Sequence, residues 1–162
     1  MSSLDIRFRD ATPLDRDAIL HHRRCMFRDM GNGTEAELDA MVETTRPWLE
    51  RALADGSYRA WLAHTTDGKI VGGGGVLISG WPARPGDLNT RHALIQNVYT
   101  EPEFRRQGLA RRLMLLIIGW LKGQGFCAVY LHASDEGRPL YESLGFSQTN
   151  EMRLRITPQK PD

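Results

Sequence analysis

The stretch Arg105-Arg106-Gln107-Gly108-Leu109-Ala110 sets arginines, a glycine and a small residue across the opening of a strongly periodic helical segment. The first turn of a helix carries amide N–H groups without an intrahelical acceptor and a partial positive charge, and the two together bind phosphate. Gly108 and Ala110 let an anion reach the backbone without meeting a side chain, while Arg105, Arg106, Arg111 and Arg112 add a local positive field. Arginines at a helix N-terminus oppose the macrodipole, which argues for an anion there. The spacing matches neither G-x-x-x-x-G-K-[ST] nor a G-x-G-x-x-G after a strand. By itself the pattern would serve close helix–sheet packing beneath solvated arginines equally well.

The elements that must hold this turn are legible on both sides. Residues 93–100 read as a strand that ends before Pro102, and Leu109, Leu113, Leu116, Ile117, Trp120 and Leu121 mark one face of a helix within 105–122. Upstream, residues 4–9 alternate as a half-buried strand. Thr12-Pro13-Leu14-Asp15 opens a helix that Gly31-Asn32-Gly33 ends, and Thr34-Glu35-Ala36-Glu37 opens a second, which Pro47 should kink or split. Residues 58–64 and 69–79 predict a hairpin, and the glycine run 72–75 inside it points to a bulge or to close approach of a backbone or ligand. Residues 81–91 are a loop, 126–132 a buried strand, 138–144 a short helix capped by Gly145, and 146–156 a last strand. This order predicts an α/β fold of the α+β type, a mixed sheet with helices on both faces.

The chain has 162 residues, one domain's worth at roughly 100–200 residues each. No repeat or composition shift marks a second domain, so 1–162 reads as one. With 41% hydrophobic and 25% charged residues, disordered and fibrous classes are excluded. A net charge of +1 gives no overall field toward nucleic acid or an anionic membrane. The longest apolar stretch, 113–121, falls short of the roughly 20 residues that span a bilayer, and no apolar signal region is visible at the N-terminus. A cytoplasmic protein without nucleic-acid or membrane partners is expected, and a homodimer is compatible. Cys25 and Cys127 read as buried free thiols, and no metal site is expected, because the two histidines at 21 and 22 lack ligand spacing.

A second motif joins the first. The segment Leu140-Tyr141-Glu142-Ser143-Leu144-Gly145-Phe146 lies downstream of the arginine-flanked turn, and Val98-Tyr99-Thr100 with Pro102-Glu103-Phe104-Arg105 precedes it. Together they resemble the GNAT superfamily of acyl-CoA-dependent N-acyltransferases, with its [Q/R]-x-x-G-x-[G/A] pyrophosphate loop and its L-Y-x-x-x-G-F segment. The resemblance implies a mixed, mostly antiparallel sheet in which the strand ending at Val98 and Tyr99 splays from the strand at 126–132. Acetyl-CoA would be co-substrate, its pantetheine arm lying in the gap and pairing with main-chain groups of Val98, Tyr99 and Thr100. Amides across Arg106, Gln107, Gly108, Leu109, Ala110 and Arg111 would hold the pyrophosphate, with Arg105 in the same loop. Ser134 stands where many relatives have an Asn that bonds pantetheine, and is shorter. Gly137 fills the family's small position, and Arg138 would reach a CoA phosphate or be solvated.

The implied reaction is direct attack of a primary amine, small molecule or peptide, on the thioester in a ternary complex. Tyr141 is the expected general acid toward the departing thiolate; an amphipathic packing residue is the alternative. No base is evident. Gln96 and Asn97 stand where some relatives carry a Glu, Glu101 sits at a turn, and His132 reads first as a structural histidine. Arg23, Arg24, Met26, Phe27, Met30 and Trp81 are candidates to line the acceptor site, where an Arg would suit a carboxylate. A non-catalytic CoA-binding module of the same fold is the alternative function.

Overall fold

A computed structural model describes residues 5–156. In chain order the first elements are β1 (Arg7–Asp10), a 3-10 turn at Pro13–Asp15, α1 (Arg16–Asp29), α2 (Glu35–Asp55), β2 (Tyr58–His64) and β3 (Ile70–Gly80). They are followed by β4 (Arg91–Thr100), a 3-10 turn at Pro102–Phe104, α3 (Leu109–Gly123), β5 (Tyr130–Leu131) and α4 (Arg138–Ser143). Two compact units divide between His132 and Ala133, so α4 alone belongs to the second.

In the first unit the strands lie in the order β1-β2-β3-β4-β5, antiparallel except for the parallel pair β4–β5. The glycine run in β3 shows how both faces are covered. A Cβ on Gly74 would lie 3.1 Å from Leu113 of α3, and one on Gly73 would lie 3.1 Å from His22 of α1. Successive strand residues point to opposite faces, so α1 and α3 cover opposite sides. Ile19, Leu20, Leu49, Ala52, Tyr58 and Ala60 form the core between α1, α2 and β2. Packed neighbours crowd each glycine of the run, and the register slips between Gly73 and Gly75 with the extra residue on the facing strand β4.

Several boundaries differ from expectation. Leu4 lies outside the described residues. Pro47 does not split α2, which runs unbroken through it with Leu38 buried before it and Leu49 and Ala52 after it; burial on both sides outweighs one missing hydrogen bond. The third helix starts at Leu109 rather than earlier, because Arg106 (φ 61°) and Gly108 (φ 77°) are left-handed. The strand predicted over 126–132 shrinks to Tyr130–Leu131. Residues 146–156 form no strand, and Met152, Leu154 and Ile156 are exposed; alternation alone supplies no partner edge. Cys25 is buried but Cys127 is exposed, so only one thiol is enclosed. No helix among the described residues is long and apolar enough to cross a membrane.

Candidate active site

The organising feature is an extra residue in β4. Gly73 pairs with Tyr99 but Gly75 with Gln96, so Asn97 and Val98 together face Gly74. Asn97 takes the left-handed conformation, φ 56°, which Asn tolerates better than most side chains. Its amide is 5% exposed and bonded at both ends: Arg23 Nη1 donates to Oδ1 at 2.9 Å, and Nδ2 donates to the Tyr58 hydroxyl at 2.8 Å. Tyr58 is fully enclosed, and burial pushes its phenol up to about 12.

The pairing of β4 with β5 ends just before this bulge, at Ile95. The β4–β5 ladder covers only Leu94–Tyr130 and Ile95–Leu131, leaving the β4 edge at Val98, Tyr99 and Thr100 without a strand partner among the described residues. Such an edge can pair with an extended ligand. Tyr99 is buried, and burial, with the thiol and carboxylates around it, raises its phenol to about 12.

The turn after β4 ends in the α3 N-terminus. Arg112 N donates to Gly108 O at 3.1 Å, so the amides of Leu109, Ala110 and Arg111 precede the first intrahelical bond. Left-handed backbone at a non-glycine residue such as Arg106 costs about 1–2 kcal/mol and collects at functional sites. Arg106 and Gln107 are exposed. Two of the arginines expected to supply a free field are tied to protein. Arg105 donates to Thr100 O at 2.9 Å and to Asp29 at 2.6 Å, and Arg112 donates to Ile6 O at 3.1 Å.

On the α1/α2 side of the sheet, α1, α2, β3 and β4 line a half-open cavity of about 310 Å³ that includes Arg23, Thr44, Thr45, Trp48, Gln96 and Asn97 in its wall. Of the acceptor candidates only Arg23 lines it. Arg24 is held by Glu35 at 2.6 Å and Asp39 at 2.9 Å, and Trp81 packs on His92 with ring centroids 4.7 Å apart. The sequence hides the α2 contribution, because Trp48 follows Pro47, a residue that ordinarily breaks a helix. At the turn after β4, His21 Nε2 lies 2.7 Å from the Glu101 carboxylate. His22, also on α1, is 2% exposed, and burial lowers its imidazole to about 4.

In the second unit, Ser134 Oγ accepts from Gly137 N at 3.1 Å. Gly137 is small for a reason, since a Cβ there would lie 2.9 Å from the Tyr141 ring. Arg138 is the first residue of α4. Tyr141 packs edge-on against Phe146, centroids 6.0 Å apart, and burial raises its phenol.

Residues 17–146 match the model of the acetyltransferase (GNAT) family. The chain is similar to a GCN5-related N-acetyltransferase from Ralstonia eutropha JMP134, at 33% identity and a TM-score of 0.88 over 93% of this chain and 98% of that one. A predicted acetyltransferase from Clostridium acetobutylicum, solved with acetyl-CoA, shares the fold at 24% identity and a TM-score of 0.82, covering 94% of this chain and 96% of that one. The glucosamine 6-phosphate N-acetyltransferase of Trypanosoma brucei brucei is 30% identical over 95 residues, 59% of this chain and 62% of that relative. The chain thus spans less than two thirds of that curated relative's length.

Proposed function

The chain belongs to the GNAT acetyltransferase family, and on that premise we propose that it transfers an acetyl group from acetyl-CoA to a primary amine within a ternary complex. The observation that carries this reading is the β4 bulge at Asn97, followed by an unpaired edge and an amide-rich turn in one continuous stretch. Pantetheine pairs with Val98, Tyr99 and Thr100, and the pyrophosphate sits on the amides of residues 106–111. The amine nitrogen attacks the thioester carbonyl, and a strand N–H near Val98 or Tyr99 holds the resulting oxyanion. The carbon–sulfur bond then breaks, and the thiolate takes a proton from Tyr141, whose phenol burial keeps protonated. The amine arrives neutral or first gives a proton to water, and the proton shed by the tetrahedral nitrogen passes through water to restore the Tyr141 phenol. Ser134, already bonded to Gly137, contributes through its remaining lone pair, and Arg138 pairs with a CoA phosphate.

The reading further takes 1–162 as one N-acetyltransferase domain, cytoplasmic, working without metal, nucleic acid or membrane. Calorimetry with acetyl-CoA, followed by thiol release over an amine and peptide panel, tests it. Binding with turnover is the expected result. Binding without turnover on any amine would make the chain a CoA-binding module, and no binding would end the reading.

A further inference from the structure

Arg23 is the one formally charged side chain among the described residues in the wall of the α1/α2/β3/β4 cavity. Its Nη1 is spent on Asn97 Oδ1, and the guanidinium lies over the Phe27 ring at 5.0 Å. Its Nε is buried without a partner. No carboxylate of the described residues pairs with it, whereas Arg24, one position on, holds two. Arginine does not deprotonate in proteins, and a part-buried cation with an orphaned donor leaves a desolvation cost that an anion would remove. Burial pushes the guanidinium below its usual range, in keeping with a charge that lacks a counter-ion.

We propose that the acceptor amine carries a carboxylate and that Arg23 binds it in this cavity. The proposal rests on the acetyl-transfer reading and names its substrate class. With Nη1 held by Asn97 and Nε enclosed, Nη2 is the donor left for a carboxylate oxygen in the cavity that Arg23 lines. A single cation balances one carboxylate charge; a phosphate monoester, nearer −2 at neutral pH, would call for a second. At about 310 Å³ the space is at the small end of ligand sites, which run roughly 300–1,000 Å³, and suits an amino-acid-sized molecule. Asn97 links the two halves of the site, since the residue that holds Arg23 is also the bulge that precedes the unpaired β4 edge.

The test uses the natural L-amino acids, β-alanine and γ-aminobutyrate, each beside its amide, with O-phosphoethanolamine as the phosphate probe. Binding to the protein saturated with CoA is measured by calorimetry, and thiol release with acetyl-CoA by a colorimetric assay. At least one acid should bind, and turn over by kcat/KM, tenfold or more better than its amide. Arg23→Gln should erase that ratio, and Arg23→Lys should restore part of it. Amides equal to acids, or O-phosphoethanolamine preferred over every acid, would overturn the assignment while leaving acetyl transfer intact. Failure of acetyl-CoA itself to bind strikes the broader reading instead. The acid-to-amide ratio is measured on the unmodified protein, so it decides the matter even where a variant folds poorly.

Discussion

The Tyr58 ring occupies the place a side chain on Gly75 would need: a Cβ built there would overlap both Cζ and the hydroxyl oxygen. The missing side chain leaves room for the phenol to reach Asn97, so a glycine in the middle of a strand is required by its neighbour's ring.

Gly75→Ala should therefore destabilise by about 3 kcal/mol or more, because neither the buried ring nor the Arg59 carbonyl at 2.8 Å can withdraw cheaply. Gly119→Ala, inside α3 with nothing within 4 Å, should instead stabilise by about 0.5–1 kcal/mol. Urea unfolding of the two variants checks the contrast, and equal effects would remove the packing argument.

These contacts mark the boundary of what the sequence discloses. The capping box at Thr34 and Glu37 was legible and forms, with Thr34 N bonded to Glu37 at 2.7 Å, since capping depends on residues three apart. The strand before the arginine-flanked turn and the apolar face of α3 were legible for the same local reason. The bulge was not, because register is a property of two strands and Asn97 in isolation looks like a failed base. Arg23 appeared only as one arginine among candidates, and what singles it out is the missing partner at Nε, a fact about its surroundings. The period-two pattern at 146–156 misled for the opposite reason, since a strand requires an edge that local sequence does not supply.

Tyr58→Phe should cost about 1–2 kcal/mol, as Asn97 Nδ2 loses its buried acceptor. The expected signature beyond stability is a fall in kcat for acetyl transfer, because the side chain that sets the β4 bulge is freed at one end. Unfolding curves and steady-state kinetics read the two effects separately. An unchanged kcat beside lowered stability would confine the network to structure.

His22 should make the protein acid-sensitive. Its imidazole, beside Tyr99 with ring centroids 5.4 Å apart and His21 at 5.8 Å, is held near 4 by burial, against an unfolded value of about 6.5. Between those values the unfolded chain binds the extra proton, so stability is whole above about pH 6.5 and falls as the pH drops toward 4. The loss approaches roughly 3 kcal/mol at the acid end. Asp15, held at about 2 by Arg9 at 2.8 Å, acts in a lower window, between about 4 and 2. Urea midpoints across pH 4–7 for the protein and for His22→Gln test the assignment, and a slope that survives the substitution would place the sensitivity elsewhere.

Gly108→Val should weaken acetyl-CoA by tenfold or more. Left-handed backbone at φ 77° costs a β-branched residue more than the roughly 1–2 kcal/mol of an ordinary one, so the turn would reshape and its amides would leave the pyrophosphate. The site is exposed with nothing within 4 Å of a new Cβ, so loss of fold is not the expected cause. Calorimetry against a thermal melt separates the two, and full affinity in a folded variant would move the diphosphate away from this turn.

Tyr141→Phe is the sharpest test of the chemistry. The ring's packing against Phe146 and the Gly137 backbone needs only its faces and edges, which Phe keeps. The hydroxyl is what a general acid supplies, and that role contributes roughly 10²–10⁴ in rate. The variant should then melt near the parent temperature, bind acetyl-CoA within a few-fold, and lose kcat by about two orders of magnitude. Because burial raises the phenol, any alkaline fall in kcat that reports its ionisation should begin above the ordinary tyrosine range and vanish in the variant. A variant that turns over at the parent rate, with its alkaline limb unchanged, would leave the thiolate to depart unprotonated or to draw its proton from water.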